Sequence, residues 1–418
     1  MSHSETPPHP SRVLFPLGLG TALSLMGDAT LYTVLPTHTS EAGIVLGSVG
    51  IILGANRAVR VFLNSPVGLA YDRWPRRRLF VPALFIGALS TMVYAATHGF
   101  WPLLVGRLLW GLAWSGIWVG GATVILDVTT DQDRGRWTGL YQTWFFLGAA
   151  LGAFAGGLLT DRLGYSATMW VGAALTTLGG LAALLLLPET RGARRNPGTA
   201  PVEETNRSLR SNSSLWIVAS LQGINRFVTA GVLSATMALL VQHRLSSTGL
   251  ALGVATVTGA LMAGRTLLST VSAPLAGTIS DWLGSRWKVT AGGLAIGIIG
   301  MILLAWGTPL AILTGVSLGA VTGGSVQALV IALTGDLASE AQRGRAIGLL
   351  HTVGDLGSAV GPPAAYTLLP WIGLPGVYLL CVGLFAIGSI LALVSGARAA
   401  NLATPAKLEY NYPRNQSR

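Results

Sequence analysis

Seven charged side chains stand inside stretches that are otherwise apolar: Asp28, Arg57, Arg60, Arg107, Arg226, Arg265 and Asp355. A charge in hydrocarbon is costly unless paired, so each needs a partner or a task. An aspartate taken out of water is a group that can pick up and release a proton, and Asp28 lies two turns inside Pro36, near the middle of its stretch. His351 precedes Asp355 by one turn on the same face, a second proton relay or a packed hydrogen-bonded pair. Arginine forks suit carboxylate or phosphate. Arg57 precedes Asp72 by 15 residues, roughly 22 Å of helix, and Arg265 stands at the equivalent height later in the chain. These two can clamp an anion between them, or they can pair with Asp28, Asp355 or helix carbonyls. Five arginines against two aspartates lean towards negatively charged cargo, with Arg60 and Arg226 as further contacts.

The stretches that position these groups are long enough to cross ~30 Å of hydrocarbon. Of 418 residues 51% are apolar and 10% charged, with a mean hydropathy of +0.58, which excludes a soluble globular domain. Twelve spans are predicted, near 13–36, 43–68, 79–97, 101–126, 137–160, 167–187, 215–241, 249–279, 288–306, 309–334, 346–369 and 374–396. The first shows no small-residue cleavage site and runs at once into the second, so it does not read as a signal peptide. The net charge of +11 is a matter of placement rather than of nucleic-acid binding. With twelve spans both termini fall on one side, and 20 of the 27 Lys and Arg fall there too, against Arg162 and Arg244 on the other. Positive charge stays cytoplasmic, so both termini are expected inside. Cys381 is the single cysteine and permits no internal disulfide.

The chain is a duplicated half. The twenty residues from Arg134 and the twenty from Arg343 share 10 identities at an offset of 209, and the same offset carries Asp72 onto Asp281 and Asp127 onto Asp336. In a membrane such a repeat makes two bundles around a central site. The expected organisation is a six-helix bundle over 1–188, a polar linker over 189–214, a second bundle over 215–397 and a tail over 398–418. The linker, rich in Arg, Asn, Ser, Pro and Glu, is too polar to bury and is expected on the cytoplasmic side, joining the two halves.

Between spans 2 and 3 stands Gly68-Leu-Ala-Tyr-Asp72-Arg73-Trp-Pro75-Arg76-Arg77, and the second half answers with Gly277-Thr-Ile-Ser-Asp281-Trp282-Leu-Gly284-Ser-Arg286. A weaker echo, Gly157-Leu-Leu-Thr-Asp161-Arg162-Leu-Gly164, falls on the opposite side. These loops, with the twelve spans, resemble the major facilitator superfamily over essentially the whole chain. Its loop signature, Gly-x-x-x-Asp-Arg-x-Gly-Arg-Arg, is matched at 68–77 except that Pro75 replaces the second glycine. The resemblance implies that Asp72 and Arg73, with Gly68, Arg76 and Arg77, latch the bundles together on the cytoplasmic side when the cavity faces outward. Asp281, Gly284 and Arg286 belong to the later copy, where Trp282 replaces the first basic residue.

Two further segments carry the resemblance. Arg107-Leu-Leu-Trp110-Gly111 in span 4 looks like the family's arginine motif, tied there to proton coupling. Arg107, Trp114 and Trp118 fall within about 20° of one helical direction, so the tryptophans either wall the cavity or pack on neighbouring helices. Gly148, Gly152, Gly156 and Gly157 in span 5 resemble the antiporter motif of drug–proton exchangers, with Ala153 in place of proline. Glycines at this spacing form a seam for close helix packing. Gly357, Gly361 and Pro362 are the counterparts in span 11. The expectation is an all-α protein of twelve transmembrane helices, not an enzyme, resembling the drug–proton antiporter branch. Its first reading is proton-coupled export of a small organic compound from a prokaryotic cell, by alternating access. An exchanger or importer of a small anion held by Arg57 and Arg265 is the alternative, and a non-transporting membrane sensor or scaffold a third. The expected partners are a small-molecule substrate, protons and the lipid bilayer, without nucleic acid, metal or cofactor. The chain is expected to act as a monomer in the inner membrane.

Overall fold

The computed structural model describes residues 9–130, 132–191, 213–245, 252–339 and 342–403, and most of the polar linker and of the C-terminal tail lies outside them. The first half supplies α1 (Pro10–Val34), α2 (Leu46–Arg73), α3 (Arg76–Ala96), α4 (Phe100–Val128), α5 (Arg134–Leu163) and α6 (Tyr165–Leu186). In the second half, α7 runs from Ser213–Arg226 through a π-helical stretch, Phe227–Leu233, into Ser234–Leu245. It is followed by α8 (Val254–Trp282), α9 (Arg286–Trp306) and α10 (Pro309–Leu337). Among the described residues, eleven segments are long and apolar enough to span a bilayer, the last of them running over Arg343–Ala399. Its backbone leaves helical geometry at Gly373 (φ 63°, ψ 179°), and its length is about twice what one crossing needs. It is read as two crossings, α11 (343–372) and α12 (374–403). Several helices outrun the apolar stretches: α2 continues through Asp72 and Arg73, because backbone hydrogen bonding carries the helix past the point where hydropathy falls.

The duplication is visible in the backbone. Gly164 between α5 and α6 has φ 83° and ψ 170°, and Gly373, 209 residues on, repeats that conformation between α11 and α12. One turn departs. Gly284 takes the left-handed region at φ 62°, whereas Pro75, at the corresponding place, has φ −56° and caps α3 in an extended form. A pyrrolidine ring cannot enter the left-handed region, so the first-half loop turns by another route.

Each half packs in the same pattern. The first helix of a half lies on its fifth and sixth, and the third lies on the fourth and sixth. Glycine makes the first of these contacts possible. A Cβ on Gly148 would lie 2.5 Å from the Ala22 Cα and one on Gly152 2.5 Å from the Met26 Cα, while Gly357 meets the Gly223 carbonyl in the repeat. The seam inferred for spans 5 and 11 is therefore spent on α1 and α7, apart from Gly157, which meets Ala255 of α8. Between the halves two antiparallel pairs form, α2 with α11 and α5 with α8. Their tight contacts lie at the end away from the basic loops. Gly50 and Gly54 meet Pro362 and Ala359, and Gly259 meets Ala153. At the same end, Asp161 of the weak third loop caps α8, accepting hydrogen bonds from the Thr256 amide at 2.7 Å, the Thr256 hydroxyl at 2.6 Å and the Ala255 amide at 3.3 Å. A carboxylate on a helix N-terminus is held by free amides and dipole alike.

The basic end is different. Gly68, Gly277, Gly139 and Gly348 lie on the helices of these same two pairs, and a Cβ at any of them would meet open space. The halves are sealed at one end and parted at the other. Because the Gly152 contact is to backbone, Gly152→Val has no side chain that can yield, and overpacking is expected to cost about 3 kcal/mol. Gly68→Val is expected to leave the melting temperature of the purified protein close to the parent value, a contrast that a thermal-shift comparison of the two variants measures.

Candidate functional site

Between the halves lies a cavity of about 820 Å³, counting the space open to solvent, whose lining includes Asp28, Tyr32, Asn56, Arg57, Arg60, Trp114, Phe145 and Arg226. Two ion pairs organise it. Within the first half, Arg107 of α4 is fully buried and donates from Nη1 to Asp28 Oδ1 of α1 at 2.5 Å. Its Nε donates to the Ile52 carbonyl at 3.3 Å. Asp28 keeps 16% of its side chain exposed to the cavity. Across the halves, Arg60 of α2 donates from Nη2 to both oxygens of Asp355 of α11, each at 3.0 Å, and Asn64 adds a contact at 3.5 Å. Arg226 stands 3.9 Å from the same carboxylate. Tyr32 lies between the clusters: the Arg57 and Arg107 guanidinium carbons sit 5.1 and 5.0 Å from its ring centroid, within cation–π range. Its hydroxyl donates to the Leu53 carbonyl at 2.8 Å.

Arg57 and Arg265 stand at matching heights but face differently. Arg57 lines the cavity and donates to the carbonyls of Ala230 at 2.5 Å and Ser358 at 3.2 Å. Arg265 sits behind the lining residue Ser234, donating to its hydroxyl at 2.8 Å and to the Thr229 carbonyl at 2.6 Å. Thus arginines from both halves converge on consecutive carbonyls of the π-helical stretch of α7. A π turn loosens the regular hydrogen-bond ladder and leaves carbonyls for other donors. The π turn carries no sequence signal, which is why this arrangement was not legible beforehand.

The tryptophans form a ladder on α4. Trp110 and Trp114 stack at 6.0 Å, and Trp114 and Trp118 at 5.9 Å, with Phe145 of α5 against both Trp114 and Trp118. Trp110 and Trp114 are buried in the first half's core and also line the cavity, so packing and cavity wall are the same surface. His351 is exposed and forms no hydrogen bond with Asp355, which is committed to Arg60 instead.

At the basic end the loops are tied within each half. Arg76 pairs with Asp127 at 2.8 Å, Glu189 accepts from the amides of Arg76 and Arg77, the Arg77 side chain reaches the Leu184 carbonyl, and Arg191 donates to the Asp72 carbonyl. Arg286 repeats the first of these with Asp336 and stands 3.7 Å from Asp281. Asp127 and Asp336 were visible only as repeat positions; the structure shows them as the carboxylates that hold the loop arginines. Asp72 and Arg73 are exposed, and among the described residues neither side chain forms a hydrogen bond or ion pair with the other half. The next loop is set by Asp133, which accepts from the Thr130 hydroxyl at 2.7 Å and amide at 2.6 Å, bonds that hold its carboxyl below the usual carboxylate range.

Two repeated bundles with a charged cavity between them, sealed at one end, define a secondary membrane transporter. The sequence matches the Major Facilitator Superfamily over residues 17–267 and again over 227–409, and the chain belongs to that family. It is 27% identical over 386 residues to the class C tetracycline resistance protein of Escherichia coli, covering 87% of this chain and 94% of that one. Over 394 residues it is 26% identical to the class E protein of the same organism, covering 88% and 91%. Among solved structures, a bacterial homologue of the human lysosomal transporter Spinster, inward-facing and occupied, superposes with a TM-score of 0.75 at 16% identity over 95% of this chain and 98% of that one. The human organic anion transporter MFSD10 does so at 0.66 and 19% over 92% and 100%. At these identities the structures share the fold.

Removing Asp355 strands two guanidiniums in the cavity wall. Asp355→Asn is expected to lose about 3–5 kcal/mol of stability, whereas Asp72→Asn, at an exposed position, is expected to melt with the parent protein. Chemical or thermal unfolding of both variants in the same detergent checks the contrast.

Proposed function

We propose that the chain exports a small organic compound in exchange for protons, by alternating access, from a prokaryotic cell whose inner membrane holds it with both termini in the cytoplasm. The observation that carries this reading is the Asp28–Arg107 pair: the arginine is wholly buried while its carboxylate borders the cavity. A proton arriving through the cavity reaches Asp28. Once neutral, Asp28 no longer balances Arg107, and a buried uncompensated charge makes that state unstable until another group or another conformation takes over. Cargo and proton thus meet at one cavity wall. Export is favoured by likeness along most of the chain to tetracycline resistance proteins. The excess of arginine in the cavity favours a second reading, an exchanger or importer of a small anion, with Arg57 in contact and Arg265 behind it.

In the state described here the basic end is open. Extending the antiparallel register of α2 against α11, in which Gly54 meets Ala359 and Arg60 meets Asp355, brings Gly68 opposite Gly348 when that end closes. The latch proposed for Asp72 and Arg73 would engage in the closed state. Cysteines at 68 and 348 are expected to cross-link only in molecules that visit it, since the native Cys381 is buried. Absence of any cross-link in membranes under an active proton gradient would count against alternating access by this route. Proton coupling has its own test: Asp28→Asn is expected to abolish pH-driven transport in proteoliposomes while retaining substrate binding. Undiminished pH-driven transport would move the coupling site to Asp355.

A further inference from the structure

Resting on the transporter reading, we infer that the cargo is a planar organic anion, its charged group taken by Arg57 and Arg226 and its ring system by the α4–α5 aromatic ladder, which continues into a second subsite between those helices. Charge balance gives the first half of the proposal. Arg107 is neutralised by Asp28 and Arg60 by Asp355. Arg57, Arg226 and Arg265 share no further carboxylate among the described residues, and their carbonyl and hydroxyl partners satisfy hydrogen bonds without supplying charge. Arg226 makes no hydrogen bond there, and its one ionic contact, at 3.9 Å, is to a carboxylate already committed to Arg60. Three guanidiniums therefore repel one another around this cavity, and Arg57 and Arg226 border it. An anion is the group that lowers the energy of both, and a fork that is already positioned binds it with little loss of rotamer freedom.

The aromatic lining of the cavity gives the rest of the proposal. Trp114 and Phe145 line the same cavity. Trp118, stacked on Trp114 and set edge-on to Phe145 at 5.3 Å, is also a wall of a neighbouring hollow of about 450 Å³, counting open solvent, shared with Ile125, Leu126, Tyr141 and Gln142. The two hollows are thus joined by one continuous aromatic surface that leads from the arginines towards the basic end. Such a surface accepts flat π systems by offset or edge contacts. A molecule with an anionic head and a fused ring satisfies the arginines and the aromatic surface at once. A cation with the same ring meets three like charges.

Three naphthalene probes with one ring system and different head groups decide the matter: 1-naphthoate, 1-naphthalenemethanol and 1-naphthylmethylammonium, titrated calorimetrically into the protein in lipid nanodiscs. Naphthoate is expected to bind about tenfold tighter or better than the other two, a difference of ~1.4 kcal/mol, and Arg226→Gln is expected to erase that preference. Trp118→Leu and the milder Trp118→Phe are expected to weaken naphthoate while leaving benzoate, whose single ring stays at Trp114, unchanged. Equal or tighter binding of the ammonium, or no binding of naphthoate, would overturn the cargo class. Equal effects of the Trp118 variants on naphthoate and benzoate, or none on either, would overturn the second subsite. Cross-linking of the 68/348 cysteine pair reads alternating access without any cargo. A protein that cross-links yet prefers the ammonium refutes the anion and spares the transporter.

Discussion

A guanidinium within the hydrocarbon zone has to be satisfied where it stands, and that constraint shapes the centre of this molecule more than any other. Five arginines point into the middle of the protein with two aspartates to meet them. The pairing that results is unequal: one ion pair closes within the first half, one bridges the halves, Arg57 and Arg265 are parked on backbone carbonyls, and Arg226 stands 3.9 Å from the carboxylate that Arg60 already holds. Parking requires carbonyls that a regular helix does not release. The π turn in α7 provides them, with Thr229 and Ala230 accepting from Arg265 and Arg57. Distortion of α7 and excess of arginine are two sides of one arrangement, since each would be costly without the other.

Helix packing supplies the second constraint. With lipid as apolar as any side chain, helices gain little from burying leucine against leucine, and close approach through small residues does more. The seams α1/α5 and α7/α11 use glycine along the length described and tie each half together. The pairs between halves use glycine at one end only. At the far end Gly50, Gly54, Gly157 and Gly259 are in contact; at the basic end Gly68, Gly139, Gly277 and Gly348 face open space. The seams within each half and the interface between the halves differ in this respect.

The spans were legible because in hydrocarbon the length of an apolar run encodes a crossing, and the two-bundle architecture was legible from the repeat. The loops at 68–77 and 277–286 were legible too, although Pro75 forced a turn that its glycine counterpart does not make. Partners were harder. Asp355 was placed with His351 because they share a helical face, yet Arg60 from the other half holds it. That choice depends on the register of α2 against α11, which is set by Gly50 and Gly54 meeting Pro362 and Ala359, contacts between residues some 300 positions apart. The height of Arg265 could be counted along a helix, but its direction depends on a π turn for which the residues Phe227 to Leu233 give no sign. Tyr32, central to both arginine clusters, looked like any aromatic in an apolar span.

The position of the Arg60–Asp355 bridge has a mechanical meaning in the rocking proposed above. Contacts far from a pivot are made in one state and broken in the other, which the spent glycines at one end and the unspent ones at the other anticipate. A buried ion pair between moving bodies cannot be placed at either extreme, because each cycle would then expose two unpaired charges to low dielectric. Along α2 the bridge falls between Gly54, which touches α11, and Gly68, which does not. If the halves rock about a pivot between those two glycines, their relative displacement is smallest there. There the pair can stay closed throughout the cycle, and the other arginines of the cavity, freed from holding the halves together, are left to act on what passes between them.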